Sequence, residues 1–116
     1  MNSKNDFFDL LSLLKVFDAN YASEEDCTAV RDLDANNPED ISIAVNALLV
    51  PEFRSYLPTA QVRLTELLRS RLDHSDEDLD ELFDRVELVF ENSVNDRRAF
   101  MRALLRGLED SRKNES

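Results

Sequence analysis

The chain has 116 residues, a formal charge of −11, and only one cysteine, one histidine, one glycine and three prolines. That length suits one domain and is too short for two, the charge opposes direct binding to nucleic acid or anionic lipid, and the lone Cys27 excludes an internal disulfide. So little glycine and proline leaves few hairpin turns, whereas 42% hydrophobic residues and an abundance of Leu, Glu, Asp, Arg and Ala favour helices around a core.

The expected fold is all-α, a single-domain antiparallel bundle of about five to six short helices. It occupies residues 1–108, with 109–116 as a polar, frayed tail. The first helix starts near Asn5, with Ser3 as its N-cap and Asp6 three residues on. Phe7, Leu10, Leu11, Leu14, Phe17 and Tyr21 form one apolar face. Phe8, Leu13 and Val16 fall outside it, so the helix is either nearly surrounded or offers a second apolar face to a partner. Asp6, Asp9 and Lys15 interrupt this run, which lacks the clean apolar stretch of a signal peptide and the roughly 20 apolar residues of a membrane span. A cytoplasmic location is the default expectation.

Ser23 caps a short second helix whose first turn holds Glu24, Glu25 and Asp26, acids that complement the helix dipole. It runs to about Leu33 and buries Cys27, Val30 and Leu33. Asn36-Asn37-Pro38 breaks it. Asn37 can cap a third helix, with Pro38 at the first position, where its missing N–H costs nothing. Ile41, Ala44, Val45, Leu48 and Leu49 face inward until Pro51, and 51–57 reads as at most one turn carrying Phe53 and Tyr56. A fourth helix spans Pro58 to Leu72 on Leu64, Leu67, Leu68 and Leu72.

Asp73 to Glu91 carries nine carboxylates against the single base Arg85. Wound as a fifth helix, capped by Ser75 with Asp78 in the capping-box position, it sets Asp73, Glu77, Asp80, Asp84, Glu87 and Glu91 in one stripe. Leu79, Leu82, Phe83, Val86, Val89 and Phe90 fall opposite. Leu88 lies among the acids, either as an apolar anchor in a charged rim, as an ordinary exposed leucine, or as one covered by the N-terminal segment. A sixth helix, capped by Asn95, buries Phe100, Met101, Leu104 and Leu108, and Gly107 suits the left-handed residue after its end.

Charge is segregated along these elements. Residues 1–53 hold eleven acids and three bases, and residues 73–91 hold nine and one, so each stretch carries −8. Residues 54–72 and 92–116 carry +3 and +2. Some carboxylates can pair with Arg69, Arg71, Arg97, Arg98 or Arg102 on neighbouring helices, but such exposed pairs add only about 0–1 kcal/mol each and cannot absorb the excess.

Catalysis is not expected. His74 is the one candidate base and sits among acids at a helix start, and Gly107 alone cannot build a phosphate-cradling loop. Metal and cofactor sites are not expected either. An EF-hand loop begun at Asp73 would have Asp78 where glycine is required and Asp84 in place of the bidentate Glu, and zinc lacks ligands. Pairs of carboxylates at a glycosidase spacing arise by chance among 25 acids.

What remains is a contact surface for a basic protein: Glu77, Asp80, Glu81, Asp84, Glu87, Leu88 and Glu91, with the acids of 23–26 and 32–40 as a rival. Basic clefts that hold phosphates are characteristic of nucleases, and a carboxylate row at helical pitch approximates a phosphate row. In size, charge and helical make-up the chain resembles bacterial immunity proteins that neutralise toxin nucleases, including those of contact-dependent inhibition systems and bacteriocins. The likeness is one of overall properties and carries no residues over. It implies a non-catalytic inhibitor of a toxin nuclease domain. Two other readings share the features: a phage-encoded nucleic-acid mimic of the anti-CRISPR kind, and an adaptor or homodimeric scaffold joined through Phe8, Leu13 and Val16.

Overall fold

The computed structural model describes the backbone of residues 3–73, 77–90 and 94–115, and the side chains of 8–73, 79–90 and 94–113. Among these residues the chain forms six helices and no strand, an all-α bundle as the composition implies. Helix α1 (Ser3–Leu14) tightens into a 3₁₀ turn, Lys15–Phe17. Helix α2 is Glu24–Val30, and α3 is a continuous helical run over residues 38–54. Helix α4 is Pro58–Leu72, α5 is Glu77–Asp84 and α6 is Arg97–Glu115. The molecule measures 37 × 34 × 23 Å.

The helix starts follow local chemistry. Ser23 Oγ accepts the Asp26 N–H at 3.1 Å, and Asn37 Oδ1 accepts the Glu39 N–H at 2.9 Å with Pro38 at the start of α3. For α6 the capping residue is Asp96, not Asn95: Asp96 Oδ1 accepts the Ala99 N–H at 3.0 Å. The Asn95 N–H instead donates to Asn36 Oδ1 at 2.7 Å, tying the two loops together. Ser75 lies outside the described residues, as do the side chains of Ser3 and Asp78.

Helix α3 does not end at Pro51. Pro38–Ala44 passes through a π-helical turn, Val45–Leu49, into Val50–Arg54, and the Val50 N–H reaches back to the Val45 carbonyl. Proline has no N–H to donate and its ring crowds the carbonyl four residues back. The wide turn opens the ladder where that conflict would fall. The added turn delivers Phe53 to the core, edge-on to Tyr56 with ring centroids 6.3 Å apart.

Helix α6 runs down the middle of the bundle. Phe100 meets Phe83, Phe90 and Phe17 edge-on at 5.7, 6.0 and 6.2 Å. Such pairs add about 0.5–1.5 kcal/mol each beyond their burial. Gly107 does not terminate α6: no described glycine has positive φ, and the helix continues to Glu115. A Cβ at 107 would lie 2.5 Å from Val45 Cγ1, so the one glycine lets α6 approach the π turn of α3. Residues 109–115, expected as a polar tail, are the last turns of α6. Ser111 is buried and accepts the Arg54 Nε–H at 3.1 Å, and Arg112 reaches Gln61 Oε1 at 3.2 Å.

Helix α1 is buried on more than one side. Leu10, Leu13, Leu14, Val16 and Phe17 all sit in the core. The second apolar face of Phe8, Leu13 and Val16 therefore reduces to Phe8, which is 48% exposed. Tyr21, expected on the inner face, lies beyond the helix and is 56% exposed.

Candidate interaction surface

The long acidic helix is the main expectation that the structure corrects. Helix α5 ends at Asp84, and the following segment pairs with the end of α1 through one antiparallel bridge, Asp18 to Leu88. The Ala19 N–H donates to the Glu87 carbonyl at 2.7 Å and the Val89 N–H to the Phe17 carbonyl at 2.9 Å. Val86, Leu88 and Phe90 stand two residues apart, a spacing that suits an extended chain with one side inward. The extension lets Phe90 pack on Phe17 with ring centroids 5.9 Å apart.

The expected contact residues are therefore divided. Leu79, Leu82 and Phe83 bury one side of α5, which leaves Asp80, Glu81 and Asp84 exposed on the other. Asp80 Oδ1 accepts from Arg97 Nη1 at 2.7 Å, and the same guanidinium stands 5.4 Å from the Phe83 ring centroid. Glu81 lies 3.9 Å from Arg85, one helical turn on. Glu87 is exposed on the bridging segment and accepts from Asn20 Nδ2 at 3.4 Å. Leu88 does not stand free among the acids: its side chain is partly buried and packs against the core, on the segment that bridges to Asp18. The side chain of Glu77, and Glu91 altogether, lie outside the described residues, as does His74.

The rival acidic region keeps its charge. Ser23 and Asn37 start two helices whose first turns hold Glu24, Glu25 and Asp26, and Glu39 and Asp40. Asp40 Oδ2 accepts the Asp34 N–H at 2.9 Å and Asp34 Oδ1 the Asn36 N–H at 2.8 Å, so these two acids shape the connecting loop. Glu24, Glu25, Asp26, Asp32 and Glu39 are exposed, and among the described residues none of them forms an ion pair. By contrast several arginines of α4 and α6 are engaged elsewhere: Arg63 on Asp9, Arg69 on Glu109, and Arg98 on the Leu72 carbonyl.

An open depression of about 420 Å³ borders this region, lined by Val16, Tyr21, Ala22, Ser23, Asp26, Leu48 and Glu52. No sequence signal marked it, because its walls come from three separate segments. Beside it, the Tyr56 phenol is held above its ordinary pKa of 10.0 by burial first, then by the Glu52 carboxylate and Tyr21. A second depression, about 550 Å³, is lined by both signs of charge, Asp80 and Asp96 with Arg97 and Arg98. Among the described residues no three His, Cys, Asp or Glu side chains gather as a metal site, and no helix is long and apolar enough to cross a membrane.

Fold and surface together define an all-α bundle with an acidic, largely unpaired region at the starts of α2 and α3. Comparison with protein-family models, curated proteins and solved structures finds no match to this chain.

Proposed function

We propose that this protein is a non-catalytic binding protein that neutralises a basic partner, as an immunity or antitoxin protein does for a nuclease toxin. The observation that carries the reading is the set of exposed carboxylates at 24–26, 32 and 39, which have no ion-pair partner among the described residues. Acids of one sign crowded into the stretch 23–40, with Arg31 as its one base, repel one another, and a basic surface would relieve that repulsion and speed encounter. Glu24, Glu25, Asp26, Asp32 and Glu39 accordingly take precedence over the α5 residues, of which Asp80 and Glu81 already face arginines. Asp84 and Glu87, exposed but on a different part of the chain, take a secondary role.

The alternatives lose the features that supported them. A nucleic-acid mimic rested on a long, evenly spaced row, but the eight residues of α5 span only about 12 Å. The self-association face of a scaffold is broken by the burial of Leu13 and Val16.

The test is a pull-down of the tagged chain from its native host at low salt and at about 0.5 M, where the screening length shrinks to a few ångströms. Retention of one basic nuclease or toxin, reduced at high salt, is the expected outcome. Self-association with no basic partner at either salt would transfer the reading to the scaffold. With a partner in hand, Glu24→Lys, Glu25→Lys and Glu39→Lys together should weaken binding more than Asp80→Lys, Asp84→Lys and Glu87→Lys together, with circular dichroism confirming that both variants fold.

A further inference from the structure

We propose that the depression between the end of α1, the start of α2 and the last turns of α3 seats an arginine side chain of the basic partner. The inference rests on the function proposed above and names the part of the surface that would do the recognising.

The lining of the cavity has the chemistry that suits such a side chain. Val16 and Leu48, both nearly fully buried, supply apolar walls for an aliphatic stem. Asp26 lines it from the first turn of α2 and Glu52 from the final turn of α3, so acidic residues border it from two separate elements. Neither forms an ion pair among the described residues. The backbone of Asp26 sits in the capped first turn of α2, where its N–H donates to Ser23 Oγ at 3.1 Å. Tyr21 adds an aromatic wall that already attracts a cation: the Lys15 ammonium stands 5.1 Å from its ring centroid.

Guanidinium fits this lining better than ammonium. Its five donors lie in a planar fork that can serve carboxylates on two walls, and its flat face stacks on an aromatic ring, whereas ammonium is a compact and more strongly hydrated point charge. A volume of about 420 Å³ leaves room for one long side chain with water around its head. Phosphate or carboxylate ligands are disfavoured by the two acids in the lining.

The experiment needs no knowledge of the partner. The full ¹⁵N-labelled chain is titrated with a capped Gly-Arg-Gly peptide, and separately with its citrulline and lysine counterparts, at low salt. Saturable amide shifts confined to Val16, Tyr21 through Asp26, Leu48 and Glu52 are expected with arginine, weaker ones with lysine, and none with uncharged citrulline. Asp26→Asn with Glu52→Gln should weaken the arginine response roughly tenfold, while Glu66→Gln with Asp110→Asn, exposed acids on α4 and α6, leaves it unchanged. Both pairs are near-isosteric, and the untouched remainder of the spectrum reports that each variant is folded. Shifts spread evenly over all acidic residues and indifferent to the Asp26/Glu52 pair would overturn the site, as would citrulline binding as well as arginine. The two proposals separate cleanly. A basic partner captured in the pull-down with no arginine response at this cavity leaves the function standing and removes the site. A saturable arginine response with no basic partner captured does the reverse.

Discussion

Gly107 and Val45 are the residue pair on which the helix packing turns. Gly→Ala inside a helix ordinarily gains about 0.5–1 kcal/mol, but overpacking a filled core costs about 1–3 kcal/mol. With the new Cβ 2.5 Å from the Cγ1 of a fully buried, β-branched valine, the steric term wins. Gly107→Ala should therefore lower stability by roughly 1 kcal/mol in urea melts, and adding Val45→Ala should return part of that loss. A stabilised Gly107→Ala would mean that α3 and α6 do not approach as described. Tyr56 gives a second test at this scale. With Tyr21→Phe leaving Tyr56 as the single phenol, its absorbance titration should place the pKa above 10.0, and Glu52→Gln should bring it down. Because the folded state holds the phenolic proton longer than the unfolded state, Tyr56 contributes fully below the unfolded pKa near 10 and progressively less as pH rises through the folded value. The stability difference between wild type and Tyr56→Phe should thus shrink above that pH.

At the scale of elements, short helices depend on their ends. Helix α2 has seven residues, and α3 is interrupted by a π turn, so neither is long enough to persist on propensity alone. Asn37 both caps α3 and follows the loop that Asn36 ties to Asn95. Asn37→Ala should cost about 1 kcal/mol, measured as a lower denaturation midpoint at unchanged slope. A shift of a few tenths or less would show that tertiary packing alone holds the start of α3. Helix α5 illustrates the opposite force. Its acidic sequence can wind on past Asp84, yet Val86 to Phe90 leaves the helix, pairs with residues 17–19 and buries Phe90 against two other aromatic rings.

Across the whole molecule, a charge of −11 meets ion pairs that, among the described residues, are mostly on the surface. Each exposed pair is worth about 0–1 kcal/mol and weakens in salt, while the self-repulsion of the net charge weakens as well. With acids outnumbering bases 25 to 14, repulsion outweighs attraction. Raising sodium chloride from near zero to about 0.5 M should therefore raise Tm. A fall in Tm would mean that pairs such as Asp80–Arg97 contribute more than the unpaired acids of α2 and α3 oppose.

The all-α class, the caps at Ser23 and Asn37, the full span of α4 and the inward set from Ile41 to Leu49 were legible in the sequence, because each depends on neighbours within about one helical turn. The end of α5, the passage of α3 through Pro51 and the use of Gly107 were not. Each is decided by a partner far away in the chain: Phe17 for Phe90, the bundle that accepts Phe53, and Val45 for Gly107. The acidic region followed the same division. Composition determined that negative charge must survive folding, since the bases are too few to cancel it. Only the tertiary structure decided where it survives, because arginines of α4 and α6 pair with Asp9, Asp80 and Glu109, whereas the exposed acids at the starts of α2 and α3 form no ion pair among the described residues.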